Sequence, residues 1–93
     1  MSDADPVRPR RTFLVTAADA PDTLLRVLNP FVVAGAAFAA VSLERAPRGG
    51  VEIRIEVEGL DADRAASLRE RIAGLVCVRS VGVLQLNAGR QAA

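Results

Sequence analysis

The stretch Val51-Glu-Ile-Arg-Ile-Glu-Val-Glu58 alternates apolar and charged residues without a break. That is the period of a β-strand with one face buried and the other in water. Val51, Ile53, Ile55 and Val57 have to be covered, while Glu52, Arg54, Glu56 and Glu58 have to stay wet. Strands of an all-parallel sheet are apolar on both faces, so the pattern excludes that architecture. The flanking segments supply two amphipathic helices for the valine–isoleucine face. The prediction is an open antiparallel sheet with helices on one face only.

Thr12–Ala17 reads as the first strand, preceded by a polar tail over residues 1–11 with Pro6 and Pro9. Arg10-Arg11-Thr12-Phe13-Leu14 resembles a twin-arginine export signal, but Asp19 and Asp22 interrupt the apolar run such a signal needs. Pro21 and Asp22 open a helix to about Ala34, with Leu24, Val27, Leu28 and Phe31 facing the sheet. Pro30 removes one helical bond and is expected to kink the last turn, and Gly35 suits the cap. Ala36–Arg45 is a second strand, joined by the loop Ala46–Gly50 to Val51–Glu58. Asp61 and Asp63 open a second helix to about Gly74, with Ala65, Leu68 and Ile72 inward. Val76–Leu86 is the last strand. Its alternation slips between Val78 and Val81, so a bulge or late start is expected there. Asn87–Ala93 reads as a C-terminal tail. The order β-α-β-β-α-β over 12–86 predicts an α+β, ferredoxin-like domain: a four-stranded antiparallel sheet with two helices on one face. Crossovers through helices are expected to set the first strand parallel to the third and the second parallel to the fourth.

The 93 residues suit one domain, and a 51% apolar content suits a folded chain. Net charge is +1, which points to neither nucleic acid nor a membrane as partner. His, Tyr and Trp are absent, which removes the commonest general base and the best stacking platforms. Cys77 stands alone, so there is no disulfide framework and no cysteine metal site. No stretch approaches the about 20 apolar residues of a membrane span. A cytoplasmic, non-catalytic protein without metal or cofactor is the expectation.

The loop Ala18–Asp22 carries two carboxylates where a metal chaperone would carry cysteines and an acylphosphatase a phosphate cradle. Outward Glu52, Arg54, Glu56 and Glu58 exclude the aromatic face of an RNA-recognition module. That row is either a solvated face or a docking surface for a larger partner. The second strand lies at a sheet edge, yet Ala36–Leu43 carries no Lys, Glu or Pro to discourage pairing. A homodimer joining two sheets through this edge is the expected solution.

Asp19-Ala-Pro-Asp-Thr-Leu-Leu-Arg-Val-Leu28, Phe31, Gly35 and Phe38, then Ile72-Ala-Gly-Leu-Val-Cys-Val-Arg-Ser-Val81, resemble the ACT domain. Among its members the small regulatory subunits of acetolactate (acetohydroxyacid) synthase are the most similar, through Leu24, Arg26, Val27, Phe31, Gly35, Leu75, Val76 and Val78. The resemblance implies a regulatory dimer supporting a large, thiamine-diphosphate-dependent catalytic subunit in branched-chain amino-acid synthesis. Thiamine diphosphate, Mg²⁺ and any flavin would belong to that partner. The alternative is a free-standing sensor of a small apolar amino acid that regulates another enzyme.

The resemblance also implies a ligand site where one protomer's first loop meets the other's second-strand start. That places Asp19, Asp22 and Thr23 opposite Ala36, Ala37 and Phe38. The family loop usually has glycine at the place of Asp22 and a polar residue at that of Ala37. Asp22 or Asp19 is expected to accept the free N–H bonds at the helix start, a cap worth about 1 kcal/mol. A ligand carboxylate would then find its position taken, so weak or undetectable binding of valine, leucine and isoleucine is expected.

Overall fold

A computed structural model describes residues 10–86. The order is β1 (Arg10–Ala17), α1 (Thr23–Val33), β2 (Ala37–Arg45), β3 (Val51–Glu58), α2 (Ala62–Ala73) and β4 (Val78–Leu86). The four strands form one sheet in the order β2-β3-β1-β4, with both helices on one face. This is the predicted ferredoxin-like fold. β1 is antiparallel to β3 and to β4, and β2 is antiparallel to β3. The expected parallel relations of first to third strand and of second to fourth are therefore both corrected: each pair runs antiparallel. Each helical crossover makes the strands it connects parallel, β1 with β2 and β3 with β4. The direct β2–β3 hairpin then reverses one pair against the other.

β3 buries what its alternation demands: Val51, Ile53, Ile55 and Val57 are inside, and Glu52 and Arg54 are exposed. Phe13, Val15 and Ala17 extend the apolar layer onto β1, and Val27, Phe31, Ala65, Leu68 and Ile72 close it from the helices. Leu60, in the turn before α2, joins the core as well. Phe31 stands edge-on to Phe13, with ring centroids 4.9 Å apart, and is tilted against Phe38 at 6.0 Å. The chain's three phenylalanines thus connect β1, α1 and β2. Leu24 and Leu28, expected to face the sheet, only flank the core as half-buried residues.

Element ends differ from expectation by one or two residues, for local reasons. β1 starts at Arg10 instead of Thr12, because Arg10 and Arg11 continue the ladder opposite Glu58 and Val57. The rest of the expected 1–11 tail, and the 87–93 tail, lie outside the described residues. α1 runs through Pro30 and ends in a tight cap. Ala36 N–H donates to Phe31 O at 3.1 Å and Gly35 N–H to Val32 O at 3.0 Å. Gly35 accepts the left-handed conformation this cap requires, at φ 78°. Asp61 accepts from Arg64 N–H at 2.8 Å and caps α2 as predicted. β4 begins late, at Val78, and its register against β1 shifts between Thr16 and Ala17, which leaves Arg79 bulged. The irregularity expected from the broken alternation is present in both forms.

Among the described residues no helix is long and apolar enough to cross a membrane, and no group of three or more metal-ligating side chains occurs.

Phe31 is fully buried and wedged between β1 and β2, so Phe31→Ala should destabilise the fold by about 3–5 kcal/mol. Urea unfolding followed by circular dichroism measures it. A loss below about 1 kcal/mol would show that the aromatic wedge is not structural.

Candidate functional site

The register separates the six candidate residues into two groups. Ala17 and Arg45 both lie opposite Val51, so the Asp19–Thr23 loop shares the end of the sheet where β2 finishes. Ala37 lies opposite Glu58, the far end of β3. Seven strand residues, or about 23 Å, therefore separate Asp19, Asp22 and Thr23 from Ala36, Ala37 and Phe38 within one chain. No single chain brings the two groups together.

Each polar residue of the loop already has a partner. Asp19 Oδ2 is bound by Arg45 Nη1, a contact that ties the loop after β1 to the end of the edge strand. Asp22 Oδ2 accepts from Arg26 Nε at 2.6 Å, one helical turn on. Thr23 is buried and its hydroxyl donates to Ala18 O at 2.8 Å, closing the loop on itself. Ala18 N–H in turn donates to Cys77 O at 2.8 Å, anchoring the loop to the segment before β4. Gly50 presses against the same corner: a Cβ there would come within 2.5 Å of Ala17 O.

The expected capping by the aspartates does not occur. Asp22 occupies the N-cap position with φ −98° and ψ 3° and makes no side-chain cap bond. With its backbone outside the extended region typical of a capping residue, the carboxylate turns outward to the guanidinium of Arg26. Asp19 is likewise held by Arg45. The first turn of α1 consequently carries no side-chain carboxylate on its N–H groups. The hydrogen bond from Arg26, joined by one from Asp22's own backbone N–H and by the Arg26 charge, holds the Asp22 carboxyl below the usual carboxylate range.

Arg26 and Arg45 are the residues that sequence reasoning left out of the site. Asp22 and Arg26 stand at i, i+4, a spacing that favours an ion pair on a helix and was legible. Arg45 was not, since its approach to Asp19 depends on β1 and β2 being two places apart in the sheet.

The opposite group sits on an open edge. β2 pairs with β3 on one side only, and every residue of it is exposed. Phe38, Val41 and Leu43 pair with Val57, Ile55 and Ile53, so they lie on the helix side of the sheet. They nevertheless remain 41%, 40% and 43% exposed, because the two helices do not reach over the edge. On α1, Leu25 and Val32 are also exposed.

Comparison with known proteins places this α+β domain, with its polar loop at one end and its open apolar edge, among small regulatory, ligand-binding modules. The ACT-like domain family model matches residues 8–90, and the chain belongs to that family. The crystal structure of the ACT domain from GTP pyrophosphokinase of Chlorobium tepidum superposes with a TM-score of 0.71 at 12% identity, covering 83% of this chain and 99% of that one. The C-terminal domain of the MgtC protein from Mycobacterium tuberculosis gives 0.69 at 10% identity, covering 94% and 96%. A homoserine dehydrogenase from Thiobacillus denitrificans gives 0.68 at 15% identity, covering 87% of this chain but 17% of that one. At these identities the likeness is one of fold. A search of curated protein sequences found no match.

The Asp22–Arg26 pair generates a pH prediction. The folded-state pKa of Asp22 is lowered, so the pair's contribution is fully present above the ordinary value of about 3.9. It is lost as pH falls through the lowered folded value. Carbon-13 NMR titration of the Asp22 carboxyl should give a midpoint below the ordinary value, and Arg26→Gln should move it back up. An unchanged midpoint in the variant would show that Arg26 is not the cause.

Proposed function

We propose that this chain is a cytoplasmic regulatory subunit that acts as a two-fold dimer and supports a thiamine-diphosphate-dependent acetolactate synthase catalytic chain. The observation that carries it is the β2 edge: hydrogen-bonded on one side, uncharged from Ala37 to Leu43, with Phe38, Val41 and Leu43 uncovered. An exposed apolar edge of this kind is an open template for another strand. Pairing two β2 strands antiparallel about a two-fold axis sets the start of one beside the end of the other. Ala36, Ala37 and Phe38 of a second copy then approach Arg45, and with it Asp19 and the start of α1. The dimer supplies what one chain lacks, a site bounded by both groups.

The synthase as partner is supported by the sequence motif alone. Within that motif Val27 and Phe31 are core residues and Gly35 is a cap, so these three serve the fold. Val76 does not. It stands fully exposed in the turn before β4 and contributes nothing to the core.

One observation favours the alternative, a free-standing sensor of a small apolar amino acid. Because Asp22 leaves the α1 start without a side-chain cap, the Leu24 and Leu25 N–H groups remain suited to a ligand carboxylate, whereas Thr23 N–H is taken by Ala20 O at 3.1 Å. Asp22 still opposes an anion, and Arg26 offsets it. Isothermal calorimetry with valine should therefore show tighter binding for Asp22→Asn and weaker binding for Arg26→Ala. If neither variant changes the affinity, the helix start is not the carboxylate site.

Light scattering should report twice the 9.8 kDa chain mass, and Val41→Lys should shift it toward the monomer. A wild-type monomer at high micromolar concentration would overturn the dimer. Added to the synthase catalytic chain, this chain should raise turnover while catalysing nothing alone. Full activity of the synthase without it would move the sensor reading ahead.

A further inference from the structure

The face of the sheet away from the helices has no role in the dimer edge or the ligand site. Its residues follow from the register. Glu44 of β2 lies opposite Glu52 of β3, which lies opposite Thr16 of β1, which lies opposite Ser80 of β4. The next row across the sheet is Ser42, Arg54, Leu14 and Gly82. The two rows line one concavity in the open face.

The charges in this face are unevenly satisfied. Arg10 bonds Glu58 at 2.8 Å and reaches Glu56 at 4.0 Å, and Arg54 meets Glu56 at 3.5 Å. Both arginines of the face are thereby engaged at its β1-start end. Glu44 and Glu52 make no ion pair among the described residues, although they face one another in register. Like charges directly opposite in an antiparallel pair are unfavourable, and a cation brought between them removes that cost. Beside them Leu14 is 41% exposed in the middle of the sheet. Its neighbour Gly82 has no side chain, and a Cβ there would meet nothing within 4 Å. The concavity thus joins an unpaired acidic end to an apolar notch.

We propose that this open face docks a basic segment of a partner polypeptide, with an Arg or Lys side chain between Glu44 and Glu52 and an apolar side chain against Leu14 in the space beside Gly82. The charge of the face selects this occupant. It carries two arginines against four glutamates, so a second copy of the same face, or an acidic segment, would meet a like charge. β2–β2 pairing leaves the face free, so a dimer presents the docking surface twice. The inference deepens the regulatory reading by naming where a partner enzyme is held, and it rests on that reading only for there being such a partner.

The test uses the full chain and a defined probe, so that it does not depend on the identity of the enzyme. The peptide acetyl-Gly-Arg-Leu-Arg-Gly-amide is titrated into isotopically labelled protein, with the Glu-for-Arg peptide as counterpart. The amides of Leu14, Thr16, Ser42, Glu52 and Gly82 should shift with the basic peptide and stay still with the acidic one. Glu44→Gln combined with Glu52→Gln should weaken the basic peptide about fivefold, the effect of about 1 kcal/mol from two exposed pairs. Leu14→Ala should weaken it too, while Glu70→Gln on α2 should leave it unchanged. Shifts mapping to the helix layer, equal binding of both peptides, or no loss in the double variant would each overturn the proposal. So would Mg²⁺ shifting the same amides and displacing the peptide, which would make the acidic pair a cation site instead. A synthase indifferent to this chain, with the peptide still bound at this face, would overturn the synthase reading and leave the docking surface standing.

Discussion

The molecule depends on one act of burial, the covering of Val51, Ile53, Ile55 and Val57 on the inner face of β3. Each such side chain contributes about 1.5–3 kcal/mol when fully withdrawn from water. No other element presents so regular a row. β3 sits between β1 and β2, so its inner face is the floor on which Phe13, Phe31 and Ile72 meet. Because alternate residues point to opposite faces, burying that row also commits Glu52, Arg54, Glu56 and Glu58 to the other side. A single register decision thus produces both the core and the charged open face.

The edge strand shows the converse case. β2 shares β3's inner face through Phe38, Val41 and Leu43, but two helices over four strands leave the outermost strand uncovered. The Phe31–Phe38 contact reaches the edge without shielding it. The apolar surface left there is continuous with the core and differs from it only in lacking a second layer. A partner strand that brings its own helix layer would complete it. This is a physical reason for a regulatory domain of this size to work in pairs.

The loop after β1 joins structure to function through charge pairs that run within the chain. Asp19 is drawn toward the edge by Arg45, and Asp22 along the helix by Arg26. Both aspartates are thereby diverted from the helix N–H groups, and Thr23 turns inward to close the loop. The corner is rigidly tied on its protein side and open toward the first turn of α1. In a dimer, the Arg45–Asp19 pair would also carry the position of the edge to the loop.

Much of this was legible in the sequence, because it follows from short-range patterns. The strict alternation of Val51–Glu58 determined the one-sided sheet. The stripe Ala65, Leu68, Ile72 and the caps Gly35 and Asp61 determined the helices, and the broken alternation after Val78 marked the bulge. Tertiary structure alone decided what depends on residues far apart in sequence. The sense of β1 against β3 came from combining two crossovers with a hairpin. The pairing of Asp19 with Arg45 required β1 and β2 to finish at the same end of the sheet. The orientation of Asp22 was a competition between a backbone cap and a guanidinium one turn away, and the local backbone geometry settled it for the guanidinium. Periodicity is set by neighbours a few residues apart, whereas ion pairing and strand sense are set by where the chain returns, which only the folded structure specifies.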